Sequence, residues 1–194
     1  VLDELAEYGS IPVINALSDA YHPCQVMSDA MTMYEHGGDL AALTVAWVGD
    51  GNNMANSLIN GAARFSYKLK LACPDGYLPG ETILAKAREQ GAKVELCDSP
   101  QDAVAGAHFI HTDVWASMGQ EGEQRAREKA FTGYMVDDYL MALADPKVKF
   151  MHCLPAHRDE EVAESVFEGP ASIVWDQAEN RLHMQKAILE WVVS

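Results

Sequence analysis

Four short motifs in this 194-residue chain combine residue types that can do chemistry. They are His22-Pro23-Cys24-Gln25, Gly49-Asp50-Gly51-Asn52-Asn53-Met54, Asp113-Val114-Trp115-Ala116-Ser117-Met118-Gly119 and His152-Cys153-Leu154-Pro155. His22 and Gln25 are three apart, hence on one helix face, and sit near a helix start, where the positive end of the backbone dipole lies. Such a pair can polarise a carbonyl or bind an anion; a histidine satisfied by its own helix end has the same pattern. Asn52 and Asn53 offer amides suited to a carboxylate or an ammonium, or equally to turn and helix-capping bonds. Asp113 can hold a ligand ammonium. Ser117, Met118 and Gly119 supply a hydroxyl, a flexible apolar side chain and a hinge, the parts of a closing lid, and also of an ordinary polar loop. Pro155 predicts an extended Leu154 and free carbonyls beside the Cys153 thiol. His152 and Cys153 are adjacent and should point different ways, which argues against metal ligation by that pair.

The elements that must carry these motifs alternate. Short apolar runs predict strands at 11–17, 43–48, 68–72, 93–96, 109–111, 149–152 and 173–175. Helical stretches are predicted near 28–35, 56–67, 82–90, 123–131, 139–144, 159–167 and 177–193. This order predicts an α/β fold, a doubly wound parallel sheet with helices on both faces. Gly37-Gly38-Asp39 marks a boundary, since glycine commonly stops a helix. Residues 1–36 then read as the tail of a preceding unit, 37–176 as the α/β domain and 177–194 as a C-terminal helix. Three of the motifs follow predicted strands, at the carboxyl edge where open sheets place ligands.

Composition excludes several classes. A net charge of −15, from 14 basic and 29 acidic residues, opposes binding to nucleic acid or to an anionic membrane. The apolar runs are far shorter than the roughly 18–20 residues that span a bilayer, and no leader is read at the start. Four separated cysteines, Cys24, Cys73, Cys97 and Cys153, predict reduced thiols in a cytoplasmic protein. The glycine-rich turn invites a dinucleotide reading, but Met54 stands where the third glycine belongs, and Asp75 comes late for the ribose acid.

Taken together and in order, the motifs resemble ornithine carbamoyltransferase, within the aspartate/ornithine carbamoyltransferase family, over essentially the whole chain. His-Pro-x-Gln is shared by carbamoyltransferases generally. Asp-x-Trp-x-Ser-Met-Gly and His-Cys-Leu-Pro belong to the ornithine branch. The family's phosphate-gripping Ser-Thr-Arg-Thr-Arg segment appears nowhere, so the chain resembles the C-terminal portion. Asp159 stands where the family usually carries glycine.

The resemblance implies transfer of a carbamoyl group from carbamoyl phosphate to the δ-amino group of L-ornithine, giving L-citrulline and phosphate. It implies that His22, Gln25, Arg181 and the carbonyls of Cys153 and Leu154 contact the carbamoyl group. Asn53, Asp113, Ser117 and Met118 are matched to ornithine, and Asp113, Cys153, His22 and Arg181 to the chemistry. His22 and Arg181 would stabilise the carbonyl oxygen, and Cys153 could assist deprotonation of the amine. No cofactor or metal is implied. The full-length protein is expected to be a homotrimer, and this portion alone to be inactive and not trimeric. The alternatives are a carbamoyltransferase for putrescine or acetylornithine, a nicotinamide-dependent oxidoreductase, or a non-catalytic α/β binding domain.

Overall fold

The structure, a computed structural model, describes residues 1–116 and 124–194. Five strands, β1 (Thr44–Val48), β2 (Lys68–Ala72), β3 (Lys93–Leu96), β4 (Phe109–Thr112) and β5 (Lys149–His152), form one sheet in the order β3-β2-β1-β4-β5. Every pairing is parallel, with Val45 opposite both Leu69 and Phe109. The helices are α1 (Leu2–Tyr8), α2 (Pro23–Gly37), α3 (Asn53–Phe65), α4 (Glu81–Glu89), α5 (Pro100–Val104), α6 (Gln124–Ala130), α7 (Asp138–Leu143), α8 (Glu164–Phe167) and α9 (Val174–Val193).

Strand residues alternate between two cores, because successive side chains leave opposite faces of a sheet. Val45 and Trp47 of β1, Leu69 and Leu71 of β2, Phe109 and Met151 pack with Met33 of α2, Leu58 of α3 and Leu84 of α4. Ala46, Val48, Ile110 and Phe150 pack on the other side with Val104 of α5, Leu140 of α7 and Phe167 of α8. Burial of each large side chain contributes about 1.5–3 kcal/mol, so both faces are sealed and the doubly wound fold follows. Lys70 is the buried lysine of β2. Its ammonium donates to the carbonyls of Asp102 and Ala105, placing a cation at the negative end of α5.

Three predicted elements differ. Residues 11–17 are not a strand: they pair with none, and Ile11, Val13, Ile14 and Leu17 stay exposed. Around 173 the chain does lie beside β5, where the Phe150 N–H donates to Ala171 at 2.9 Å and the Ile173 N–H to Phe150 at 3.0 Å. It pairs by a single bridge and then turns into α9. The helix expected at 159–167 contracts to α8, because Asp159 is left-handed (φ 64°) and Val162 bridges to Val136.

Strand order reverses between β1 and β4. The chain leaves β1 towards β2 on one side, and β4 and β5 build the other, so their carboxyl ends splay around a crevice. One rim is the turn 49–52. The Gly51 N–H donates to the Tyr77 carbonyl at 2.7 Å, and a Cβ on Gly51 would lie 2.3 Å from the Pro79 nitrogen. Only glycine admits that backbone approach. Gly51→Ala is therefore expected to lower unfolding stability by about 1–3 kcal/mol through overpacking, measured by urea denaturation; an unchanged midpoint would contradict the close approach.

Candidate active site

Side chains from four elements converge on the crevice. Asp113 follows β4 and is buried. Its Oδ1 accepts from the Val114 N–H at 2.8 Å and its Oδ2 from the Asn52 amide at 2.9 Å. Asn52 also caps α3, its Oδ1 accepting from the N–H groups of Met54 and Ala55 at 2.9 and 3.2 Å. One side chain thus anchors a helix and aims the carboxylate. Asn53 is committed differently: its amide donates to the Ser18 carbonyl at 3.0 Å.

That contact belongs to a set by which α3 positions the segment ahead of α2. The Asn56 amide donates to Ala20 at 3.2 Å, and the Ser57 hydroxyl accepts from the His22 N–H at 2.7 Å. His22 is the N-cap residue of α2, with no side-chain capping bond. Its Nδ1 lies 2.8 Å from the Ala16 carbonyl oxygen. A carbonyl only accepts, so Nδ1 carries the proton. Burial lowers the imidazole pKa below the usual histidine range, against the opposing pull of the Ala16 bond. In the neutral ring with Nδ1 protonated, Nε2 is then an acceptor. Arg181, Asp29 and Asp113 all act electrostatically on this ring, so they share its neighbourhood.

Arg181, on α9, supplies the permanent cation. Its Nη1 donates to Gln25 Oε1 at 2.5 Å. With the Gln185 amide in its satisfied orientation, that oxygen accepts from Nε and Nη2 at 3.0 and 2.6 Å. Of five guanidinium N–H groups, one on each terminal nitrogen has no partner among the described residues and is open to a ligand. Gln25 is itself held by donating to Asp29 Oδ1 at 2.8 Å.

Cys153 follows β5 and keeps its proton. Removal from water, then the Asp113 charge and a hydrogen bond to Asp113, push the thiol well above the ordinary cysteine range. A thiolate base there is disfavoured at neutral pH, and the thiol lies beside the Asp113 carboxylate. Among the described residues no N–H donates to the carbonyls of Cys153 or Leu154, so both can receive a ligand N–H. Leu154 is not extended as Pro155 predicted. It is left-handed (φ 60°), and its N–H donates to His152 Nδ1 at 2.9 Å. That curl also overturns the expectation that His152 and Cys153 diverge, since with Asp113 they offer donor atoms within 4.8 Å of one another. The grouping is still ill-suited to a metal. Leu154 occupies His152 Nδ1, Nε2–H faces Glu161 at 3.3 Å, and burial with the Asp113 charge disfavours the Cys153 thiolate a metal would need.

Ser117 and Met118 lie outside the described residues. The boundaries of that segment are tied to the crevice: Arg127 of α6 donates to Asp50 Oδ2 at 2.5 Å and to the Trp115 carbonyl at 2.8 Å. Burial raises the Asp50 carboxyl, and Arg127 opposes the shift. Asp29, His111, Gln177, Asp50 and Arg127 were not singled out from sequence. Asp29 had a signal, lying four residues after Gln25 and so on the same helical face. Two clefts of about 460 and 360 Å³ lie elsewhere, lined by residues such as Asp176 and His183 or Tyr21 and Phe65. Converging groups, rather than volume, mark the crevice.

The fold and site define a parallel α/β domain that presents a buried carboxylate, a tethered guanidinium and carbonyls open to a donor, groups chemically able to receive a small amine-bearing ligand. Comparison with known proteins makes this specific. Residues 41–192 match the family model described as aspartate/ornithine carbamoyltransferase, Asp/Orn binding domain, and residues 1–35 match the family's carbamoyl-P binding domain. The chain belongs to the aspartate/ornithine carbamoyltransferase family. It is 66% identical over 192 residues to the ornithine carbamoyltransferase of Oleidesulfovibrio alaskensis, covering 99% of this chain and 64% of that protein. Similar solved structures include the ornithine carbamoyltransferase of Pyrococcus furiosus, with 48% identity, a TM-score of 0.91 and coverage of 97% of this chain and 61% of the other. The anabolic enzyme of Campylobacter jejuni gives 38%, 0.92, 98% and 65%. The chain thus spans about 64% of the length of the curated relatives it matches. The dinucleotide alternative is disfavoured by Met54, whose side chain fills the core where a third glycine would be needed.

The protonated thiol is open to a direct test. Asp113→Asn removes a charge that raises the Cys153 pKa, so iodoacetamide modification of Cys153 at about pH 8.5 should accelerate over the parent. Peptide mass spectrometry after timed alkylation reads this; an equal or slower rate would contradict the influence of the Asp113 charge on the thiol.

Proposed function

We propose that this chain is the amine-binding portion of an ornithine carbamoyltransferase, which transfers the carbamoyl group of carbamoyl phosphate to the δ-amino group of L-ornithine, giving L-citrulline and phosphate. The observation that carries the reading is the buried Asp113 carboxylate, held by Asn52 and Val114 and facing the Cys153 thiol across the switch-point crevice. It is suited to an amino-acid ammonium, and fixing that end aims the distal amine. Asn53, Ser117 and Met118 are assigned to the same substrate by family resemblance.

An alkyl amine, with a pKa near about 10, must lose a proton before it attacks. The neutral His22 Nε2 is the acceptor its geometry leaves for an N–H of the reacting amine or of the carbamoyl group. The two remaining Arg181 N–H groups are placed to stabilise charge growing on the carbonyl oxygen, and the Cys153 and Leu154 carbonyls to orient the carbamoyl amino group. Gln25 takes its part by holding Arg181. Phosphate is gripped by the family's other half, and no cofactor enters the reaction.

The whole protein is read as a cytoplasmic homotrimer acting on small molecules. Four free thiols and the acidic surface support that compartment and the absence of nucleic-acid or membrane partners. Among the described residues, no helix is long and apolar enough to cross a membrane.

Citrulline formation tests the reading. The 194-residue chain alone should turn over nothing measurable, whereas its fusion to the carbamoyl-phosphate half of a relative should be active. Asp113→Ala should lower that activity by about 100-fold or more, and putrescine or acetylornithine should be poor substitutes for ornithine. A folded fusion that makes no citrulline, or that prefers another amine, would overturn it.

A further inference from the structure

The turn between β5 and α8 carries a second group of donor atoms, outside the crevice. His157, Glu160 and Glu161 offer ligand atoms that all lie within 4.8 Å of one another. His157 Nδ1 is 4.0 Å from Glu160 Oε2 and 3.8 Å from Glu161 Oε2. The His157 and Glu160 side chains are 55% and 44% exposed, while that of Glu161 is 0% exposed. Glu161 Oε1 is satisfied, accepting from the His157 N–H at 2.5 Å. Oε2 has no hydrogen-bond partner despite its burial. A buried carboxylate oxygen without a donor is costly, and His157 Nδ1 stands too far away to supply one directly.

We propose that His157, Glu160 and Glu161 form a binding site for a divalent cation of the zinc class. An ion with bonds of roughly 2.0–2.2 Å separates tetrahedral ligands by about 3.4 Å. The two spacings from His157, 3.8 and 4.0 Å, exceed that by only a few tenths of an ångström, and the third lies within 4.8 Å, so modest shifts of two half-exposed side chains close the set on one ion. Imidazole with two carboxylates suits zinc, and three protein ligands leave a fourth position for water. The ion satisfies Glu161 Oε2 and neutralises the two acids of the turn. It also clamps the turn whose Glu161 faces the His152 ring at 3.3 Å. The inference stands apart from the carbamoyl-transfer reading and needs none of its substrates.

The test uses the 194-residue chain, stripped with a chelator and titrated with zinc chloride by calorimetry. Cobalt(II) then serves as a spectroscopic substitute. One ion per chain is expected, with no thiolate-to-cobalt charge-transfer band. His157→Ala and Glu160→Gln alter half-exposed residues and should fold as the parent does by circular dichroism, yet each should weaken zinc binding at least about tenfold. Cys153→Ser should leave it unchanged. No uptake by the stripped chain would overturn the proposal, as would unaltered uptake in both turn variants. Loss of binding in Cys153→Ser would instead place the ion at Asp113, His152 and Cys153, and would equally overturn it.

Discussion

Asp29 has no access to water, and its carboxylate is tolerated because three elements converge on it. Oδ1 accepts from Gln25 of α2 at 2.8 Å and from Gln177 of α9 at 2.7 Å, and Oδ2 faces the His111 ring of β4 at 3.3 Å. Removing one partner from such a buried charge is strongly destabilising, by roughly 3–5 kcal/mol, so the elements cannot drift independently. Gln177 extends the constraint to β5, its Oε1 accepting from the His152 N–H at 2.8 Å. Asn180, one turn on, donates to Thr32 at 2.9 Å and Glu35 at 2.7 Å. The packing of α9 against α2, and with it the place of Arg181, follows from this polar seam.

Each group in the crevice is consequently held by something deeper. Asp29 holds Gln25, which holds Arg181; α3 caps itself on Asn52, which holds Asp113; the Asp113 charge disfavours a thiolate at Cys153. The result is preorganisation, in which charges are aimed before a ligand arrives and little reorientation is required at the moment of reaction. The tethering also narrows the roles open to individual groups. His22, bound through Nδ1, offers a lone pair; Cys153, beside a carboxylate, offers a proton.

Asp159 shows how a departure from family habit is accommodated. Its backbone is left-handed (φ 64°), where glycine is favoured. Aspartate tolerates that region better than most residues, and here its Oδ1 accepts from the Glu164 N–H at 3.2 Å, supporting the start of α8. The lost conformational freedom is offset by a local bond that glycine could not make.

The alternation of apolar runs with helical stretches determined the α/β class, and β2, β3 and β5 were legible to the residue, β2 and β5 because they are largely buried in the sheet and edge strand β3 because its residues alternate apolar and charged. The motifs likewise marked which strand ends would carry polar chemistry. Residues 11–17 were misread for the same reason: an apolar run reports that a segment can be buried, whereas a strand also needs a neighbour to pair with. Tertiary structure alone decided that Asn52 serves helix and carboxylate together, that Leu154 curls back on His152, and that Cys153 is protonated. It also decided that Asp29, His111 and Gln177, up to 148 residues apart, form one polar seam. Sequence spacing encodes which side chains share a face of one element. Hydrogen bonding and electrostatics depend on distances between elements, and these exist only once both faces of the sheet have packed.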